Sequence, residues 1–305
     1  MIIRAAKLHK AFGGHEALRD LSLSVPEGSA YALIGANGAG KTTTIKLLMN
    51  IIQPSSGDAT VLGVNSRRLS ARQFEQIGYV SENQDMPGRL TVGEYVDYLR
   101  PFYKTWDCAL ERALLSQLRL PMGHRIGDLS HGMRLKMALA CALPFRPKLL
   151  VLDEPFSGLD PLIRDEFMER LLHQAGDMTV FISSHELPEI EGVTTHVGFI
   201  DQGTLLFEES MAELSERVRE VRITLAREVA MPERVPEGWV DMAVMGNVLS
   251  FVDTRFKHDR LAGNVATLFL GIKDIDVRPV ALRSIFTTLA RAARERGASS
   301  WSGIS

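Results

Sequence analysis

The stretch GANGAGKT, Gly35 to Thr42, lies directly after the apolar run AYALI and directly before KTTTIKLLM. It fits G-x-x-x-x-G-K-[ST] in the context that gives the pattern meaning, a strand before it and a helix after it. Its three glycines let the backbone curl so that successive N–H groups converge on phosphate oxygens. Lys41 is placed to set its ammonium against β- and γ-phosphates, and the Thr42 hydroxyl to ligate Mg²⁺. Gly35, Asn37, Gly38, Gly40, Lys41, Thr42 and the following Thr43 are the first candidate nucleotide contacts.

Two more strand ends aim chemistry at the same rim. In LLVLDEP an apolar run ends in Asp153, whose carboxylate reaches the edge where open α/β sheets bind ligands. Asp153 suits Mg²⁺, directly or through water, and Glu154 beside it is the candidate general base for an attacking water. In SSHE, after the run MTVFISS, His185 is a candidate donor to a γ-phosphate and a partner of Glu154. A further stretch, LSHGM at 129–133, reads as a polar turn opening a helix. Ser130 and Gly132 at a helix start suit an anion, because free N–H groups and the positive helix end meet there. The simpler alternative is a plain helix cap by Ser130.

Working outward, short apolar runs alternate with helical patterns. IGYVS, KLLVLD and MTVFISS read as buried strands, and EALRDLSLSV alternates as a half-buried one. Residues 91–119 read as two helices around Pro101–Trp106, and 161–174 as another helix. HVGFIDQGTLLFEES reads as a hairpin turning at Asp201-Gln202-Gly203. This alternation predicts a largely parallel sheet with helices on its faces. Composition shifts near Glu216: EVRITLA, a hairpin turning at Gly246-Asn247, a helix near 259–270, DIDVRPV and a last helix follow. That helix places Leu282, Ile285, Phe286 and Leu289 on one face.

Bulk properties narrow the classes. The 305 residues suggest one large domain and something smaller, or two domains. Thirty-five basic against 37 acidic side chains give a net charge of −2, which offers no basic field for nucleic acid or an anionic membrane. The two cysteines, Cys108 and Cys141, read as small buried residues of a reducing compartment. The first residues show no signal-peptide pattern, and no apolar run approaches the roughly 18–20 residues that cross a bilayer. A cytoplasmic chain is expected, reaching a membrane only through a partner.

Taken in order, GANGAGKT, LSHGM, LLVLDEP, SGLD and SSHE resemble the nucleotide-binding subunit of an ABC transporter, over roughly residues 2–215. The resemblance implies a P-loop NTPase fold of the ABC ATPase type: a mostly parallel core sheet, an antiparallel β region, and a helical subdomain over about 85–145. A small α+β accessory domain over 216–297 and a loose tail at 298–305 complete the expected organisation. It implies ATP hydrolysis with Mg²⁺, and two subunits stacked head to tail. Ser130 and Gly132 of one would then contact the γ-phosphate held by the other.

Further positions carry over from the family. Phe12 matches the aromatic that stacks on adenine, the alternative being an ordinary edge-strand aromatic. Asp160 in SGLD matches the D-loop that communicates between the two sites. Glu82 stands where the family's Q-loop glutamine reaches the metal, with Gln84 as the alternative. His131 and Met133 depart from the family's LSGGQ signature, as in subfamilies that pair with ABC-2-type membrane subunits, mostly exporters. The C-terminal segment is likewise similar to the accessory segment of those ATPases.

The implied partners are an integral membrane permease and a second copy or a related ATPase subunit, placing the protein on the inner face of the membrane. The permease is expected against PGRLTVGEYVDYLRPFY, where Tyr95, Tyr98, Phe102 and Tyr103 are either core or interface. The competing readings are a non-transport ABC ATPase and an ATP-switched regulatory module. Chromosome and repair members need long coiled coils between the two nucleotide motifs, and only about 110 residues separate Lys41 from Asp153. The intact Asp153-Glu154-His185 set argues against a mere switch.

Overall fold

Runs of β-branched and apolar residues that are polar only at their ends become the innermost strands. In the computed structural model these are β3 (Ala30–Ile34), β7 (Leu149–Asp153) and β8 (Thr179–Ser184), the last two buried at every position. The structure describes all residues except 83, 157–163, 165–175, 177, 187–189, 191, 193, 233, 282–283 and 290–305. Asp160, the expected helix at 161–174 and the tail at 298–305 therefore lie outside the described residues.

The chain divides into two compact units, Met1–Glu208 and Glu209–Ser305. In the first unit a six-stranded sheet runs β10 (Thr204–Ser210), β9 (His196–Asp201), β3, β8, β7 and β6 (Ile77–Ser81). From β9 to β6 every neighbouring pair is parallel. The β9–β10 hairpin turns at Gln202 and Gly203, both with positive φ (46° and 81°), as a tight two-residue turn requires. A separate antiparallel sheet orders β2 (His15–Val25), β1 (Ile3–Phe12), β4 (Ser56–Val61) and β5 (Val64–Asn65). The core between these sheets includes Ile3, Leu8, Leu18, Leu21, Leu33, Ile45 and Phe181, all essentially without solvent contact. Tyr31 stacks on Phe181 with centroids 5.4 Å apart.

Helix α1 (Lys41–Leu48) follows β3, and the short α2 (Ala71–Phe74) precedes β6. Three helices, α3 (Val92–Leu99), α4 (Cys108–Gln117) and α5 (His131–Ala142), occupy the stretch between β6 and β7. Each opens on a side-chain cap, Thr91, Asp107 and Ser130 respectively, which satisfies amides that the helix itself leaves unpaired. Glu111, buried in α4, accepts from Arg100 Nε and Nη2 at 3.0 Å each and from Trp106 Nε1 at 2.6 Å. The cysteine expectation needs one correction. Cys141 is buried, but Cys108 is exposed, because it is the first residue after the Asp107 cap and faces outward.

In the second unit, α6 (Met211–Arg217) leads into a four-stranded antiparallel sheet. Its order is β12 (Trp239–Met245), β13 (Val248–Asp253), β11 (Arg219–Leu225), β14 (Ile272–Pro279). Gly246 at φ 61° opens the β12–β13 turn. Leu261 and Val265 of α7 (His258–Leu268) join Val221, Ile223, Leu249 and Phe251 in one apolar cluster. Trp239 stacks on Phe251 at 3.9 Å and donates its Nε1 hydrogen to buried Asp253 at 3.2 Å. Residues 284–289 are helical with Ile285, Phe286 and Leu289 buried, as their spacing predicts, while Leu282 lies outside the described residues.

Candidate functional site

Gly35 directly follows β3, and a Cβ there would stand 2.3 Å from the carbonyl oxygen of Ile200. Gly40, at φ 112°, is equally obligatory: a Cβ there would meet a Leu18 methyl at 2.7 Å. Between these two points the chain curls and enters α1, whose N-terminus carries no side-chain cap and no acidic residue in its first turn. Anion-binding amides and the positive end of the helix are thereby directed at one place.

Lys41, buried to 4% exposure, folds its side chain back over this turn. Its Nζ donates to Gly35 O at 2.6 Å and Ala36 O at 3.1 Å, and pairs with Glu154 Oε1 at 2.9 Å. The other oxygen of Glu154 lies 2.8 Å from His185 Nδ1. Glu154 thus bridges the two candidate phosphate ligands. It sits at φ 49°, a left-handed backbone that costs a residue with a Cβ about 1–3 kcal/mol.

The strand register explains how these groups converge. Parallel pairing sets Asp153 beside Ser81 on one side and Ser183 on the other. Ser183 Oγ donates to Asp153 Oδ1 at 2.7 Å and accepts from the Glu154 amide at 2.9 Å. Thr42 Oγ1 donates to the same Asp153 oxygen at 3.1 Å. Burial pushes the Asp153 carboxyl above its ordinary value, while the hydrogen bonds from Ser183 and Thr42 pull the other way. No cluster of three or more His, Cys, Asp or Glu able to enclose a metal occurs among the described residues. A hydroxyl and a carboxylate side by side nevertheless fit Mg²⁺, which takes one or two protein oxygens and completes its shell with phosphate and water.

A cleft of about 580 Å³ is lined by Phe12, His15, Ala17, Asn37, Gly38, Gly40, Lys41, Thr42, Thr43, Glu82, Glu154 and His185. Glu82 therefore faces this cleft. Gln84 does not: it lines other cavities, and its Oε1 is buried without a hydrogen-bond partner among the described residues. Ser130 and Gly132 do not line the cleft either. Ser130 is exposed at the start of α5, its Oγ accepting from the Met133 amide at 3.3 Å. Next to it His131 and Arg134 share a second polar cavity with Glu82, Gln84 and Asp85. Asp160 lies outside the described residues.

Sequence reasoning missed three contributors. Ser183 lies inside SSHE with no role that the motif assigns, and only the β7–β8 register exposes it. His15 is the cross-strand neighbour of Phe12 on the β1–β2 hairpin, and Ala17 follows on β2. Their signal is the glycine pair Gly13-Gly14, which turns the chain back beside Phe12. The aromatic segment proves mixed. Tyr103 stacks on Phe145 at 4.0 Å, whereas Tyr98 and Phe102 are each 58% exposed. Tyr95 and Tyr103 line an apolar cavity of about 480 Å³ with Phe74, Met86 and Cys141.

Known proteins resemble this chain in sequence and fold. A family profile described as "ABC transporter" matches residues 18–157. The chain is 36% identical over 225 residues to the bacitracin transport ATP-binding protein BcrA of Bacillus licheniformis, covering 72% of each sequence. It is 28% identical over 235 residues to the ABC transporter ATP-binding protein YtrB of Bacillus subtilis, covering 76% of this chain and 80% of that one. A solved ATP-binding subunit of an ABC transporter superposes with a TM-score of 0.65 at 27% identity, over 71% of this chain and 92% of the other.

Proposed function

Because the chain belongs to the ABC transporter family as an ATP-binding, ATP-hydrolysing subunit, we propose that it drives export through a separate membrane permease by head-to-tail closure of two copies around two ATP molecules. The observation that carries this reading is the Lys41–Glu154–His185 chain, with links of 2.9 and 2.8 Å, set over the cradle between Gly35 and Thr42.

In the proposed cycle the triphosphate competes with Gly35 O, Ala36 O and Glu154 Oε1 for the Lys41 ammonium. Once Lys41 turns to the phosphates, Glu154 is released to orient and deprotonate the attacking water. His185, held through Nδ1 by Glu154, turns its other nitrogen to the γ-phosphate. Thr42 and Asp153, with Glu82, are the residues that would hold Mg²⁺, which would supply charge neutralisation to the triphosphate. Phe12 receives the adenine.

Among the described residues Ser130 and Gly132, at the start of α5, stand outside the lining of the chain's own cleft. That placement supports a shared site in which the α5 start of one copy closes over the ATP of its twin. Closure requires that ATP contacts be stronger in the closed pair than in the open one. No helix among the described residues is long and apolar enough to cross a membrane, so translocation is assigned to the permease. Exposed Tyr98 and Phe102, beside the cavity under Tyr95 and Tyr103, are the proposed permease contact. Similarity to a bacitracin transport subunit, together with His131 and Met133 in the signature, supports an ABC-2-type exporter on the inner face of the membrane.

Mixing inactive Ser130→Ala and Lys41→Ala chains tests the shared site. A mixed pair keeps one intact composite cleft and should recover part of the ATPase activity. Mixtures as inactive as either parent would refute the arrangement.

A further inference from the structure

Lys10 stands two residues before Phe12 on β1, the period that returns side chains to one side of a strand. Its ammonium lies 4.8 Å from the centroid of the Phe12 ring. It is held there by donating to the carbonyl oxygen of Gln53 at 2.8 Å. That anchor is itself tied to β1, since the Ser55 amide donates to His9 O at 2.9 Å and the Ala11 amide to Ser55 Oγ at 3.1 Å. The Gln53 side chain in turn donates to Asn50 Oδ1 at 2.6 Å. The anchoring segment begins where α1 ends, so the helix that starts at the phosphate cradle also fixes the support of Lys10.

Phe12 lines the nucleotide cleft and Lys10 does not. The ammonium thus covers one face of the ring without being part of the cleft's lining. Phe12 is also 49% exposed, so packing alone holds its ring loosely. We infer that Lys10 is a positioning residue for the nucleobase: it covers the far face of Phe12, fixes the ring's rotamer, and leaves a single face for the base to stack on. A cation over one face of an aromatic ring attracts its π density. The opposite face is left electron-poorer, which favours stacking with an electron-rich purine. Lys10 acts through Phe12 and not through the phosphates. The inference rests on the reading that Phe12 carries the base.

Three variants of the full chain separate the possibilities: Lys10→Met, Lys10→Arg and Phe12→Ala. Affinities for ATP and for tripolyphosphate, which has no base, are measured alongside kcat and KM. Lys10→Met should raise the ATP Kd and KM roughly two- to fivefold, leaving kcat and tripolyphosphate affinity as they are. Lys10→Arg, which keeps a cation over the ring, should restore the ATP values. Equal weakening of both ligands by Lys10→Met would assign Lys10 a general charge role and overturn the inference. So would an unchanged ATP Kd in Lys10→Met when Phe12→Ala loses about tenfold or more. If Phe12→Ala itself leaves ATP affinity intact, the base is not on Phe12, and the inference falls together with that part of the proposed site.

Discussion

Ser183 stands directly across the sheet from Asp153, in register between β8 and β7, and its single hydroxyl serves two masters: it donates to Asp153 Oδ1 at 2.7 Å and accepts from the Glu154 amide at 2.9 Å. One side chain thus aligns both the proposed metal carboxylate and the proposed base. Ser183→Ala should lower kcat by about tenfold and cost about 1–3 kcal/mol in stability, the penalty for leaving buried polar groups unpaired. The Ser183 hydrogen bond also holds the Asp153 carboxyl down against the upward push of burial. Removing it should move the acid limb of the pH–rate profile to higher pH. An acid limb that stays put would show that Asp153 does not govern it.

Glu154→Gln should slow ATP hydrolysis by about 10²- to 10⁴-fold, the range for a positioned general base. It also removes the carboxylate that now competes for Lys41 at 2.9 Å, so ATP affinity should hold or rise. Single-turnover hydrolysis and equilibrium ATP binding, measured together, check both halves. Unchanged turnover would exclude Glu154 as the base.

Glu208 offers a pH test of stability away from the site. Its Oε1 accepts from Tyr31 Oη and from the Ser24 amide at 2.8 Å each, and burial raises its carboxyl above the ordinary value. A raised folded-state pKa means the native protein binds the proton more tightly than the unfolded chain. Stability from this group is therefore full below the ordinary carboxyl range and is lost as pH climbs through the raised value. Glu208→Gln keeps an acceptor for both donors without a charge to desolvate. Melting curves should show the variant at or above the parent near pH 7, with the gap closing near pH 4. A gap that widens toward acid would reverse the assigned sign.

Glu111 ties Arg100 and the Trp106 indole at the base of the helical segment. Glu111→Ala should cost about 2 kcal/mol, read from the urea midpoint. The Arg100 side chain is 38% exposed, which keeps the loss below that of a fully buried pair. A shift under about 0.5 kcal/mol would mean that water replaces the carboxylate.

The innermost strands and the cradle were legible because their residues admit few alternatives. LLVL is apolar up to the closing Asp153, and GANGAGKT leaves little choice of conformation. Strands β1, β4 and β5 gave no such signal. Their apolar residues are interrupted by Lys7, Lys10 and Asp58, and β1 pairs with irregular register on both sides. Individual site residues were visible wherever a motif named them. What stayed hidden was the pairing between motifs, such as Ser183 with Asp153, since register is set by the whole sheet. The choice between Glu82 and Gln84 was likewise open on paper. It depends on how the chain leaves β6, where the Glu82 amide donates to Asp153 O at 3.0 Å.

The left-handed backbone at Glu154, the proposed base, sets stability against turnover within a single dihedral angle. Glycine at that position would relax the chain at once and delete the carboxylate with it. Drift toward a sturdier fold is thereby penalised at the residue where it would be easiest. Any lineage in which this position has become glycine should carry a cassette that persists longer and no longer burns its fuel.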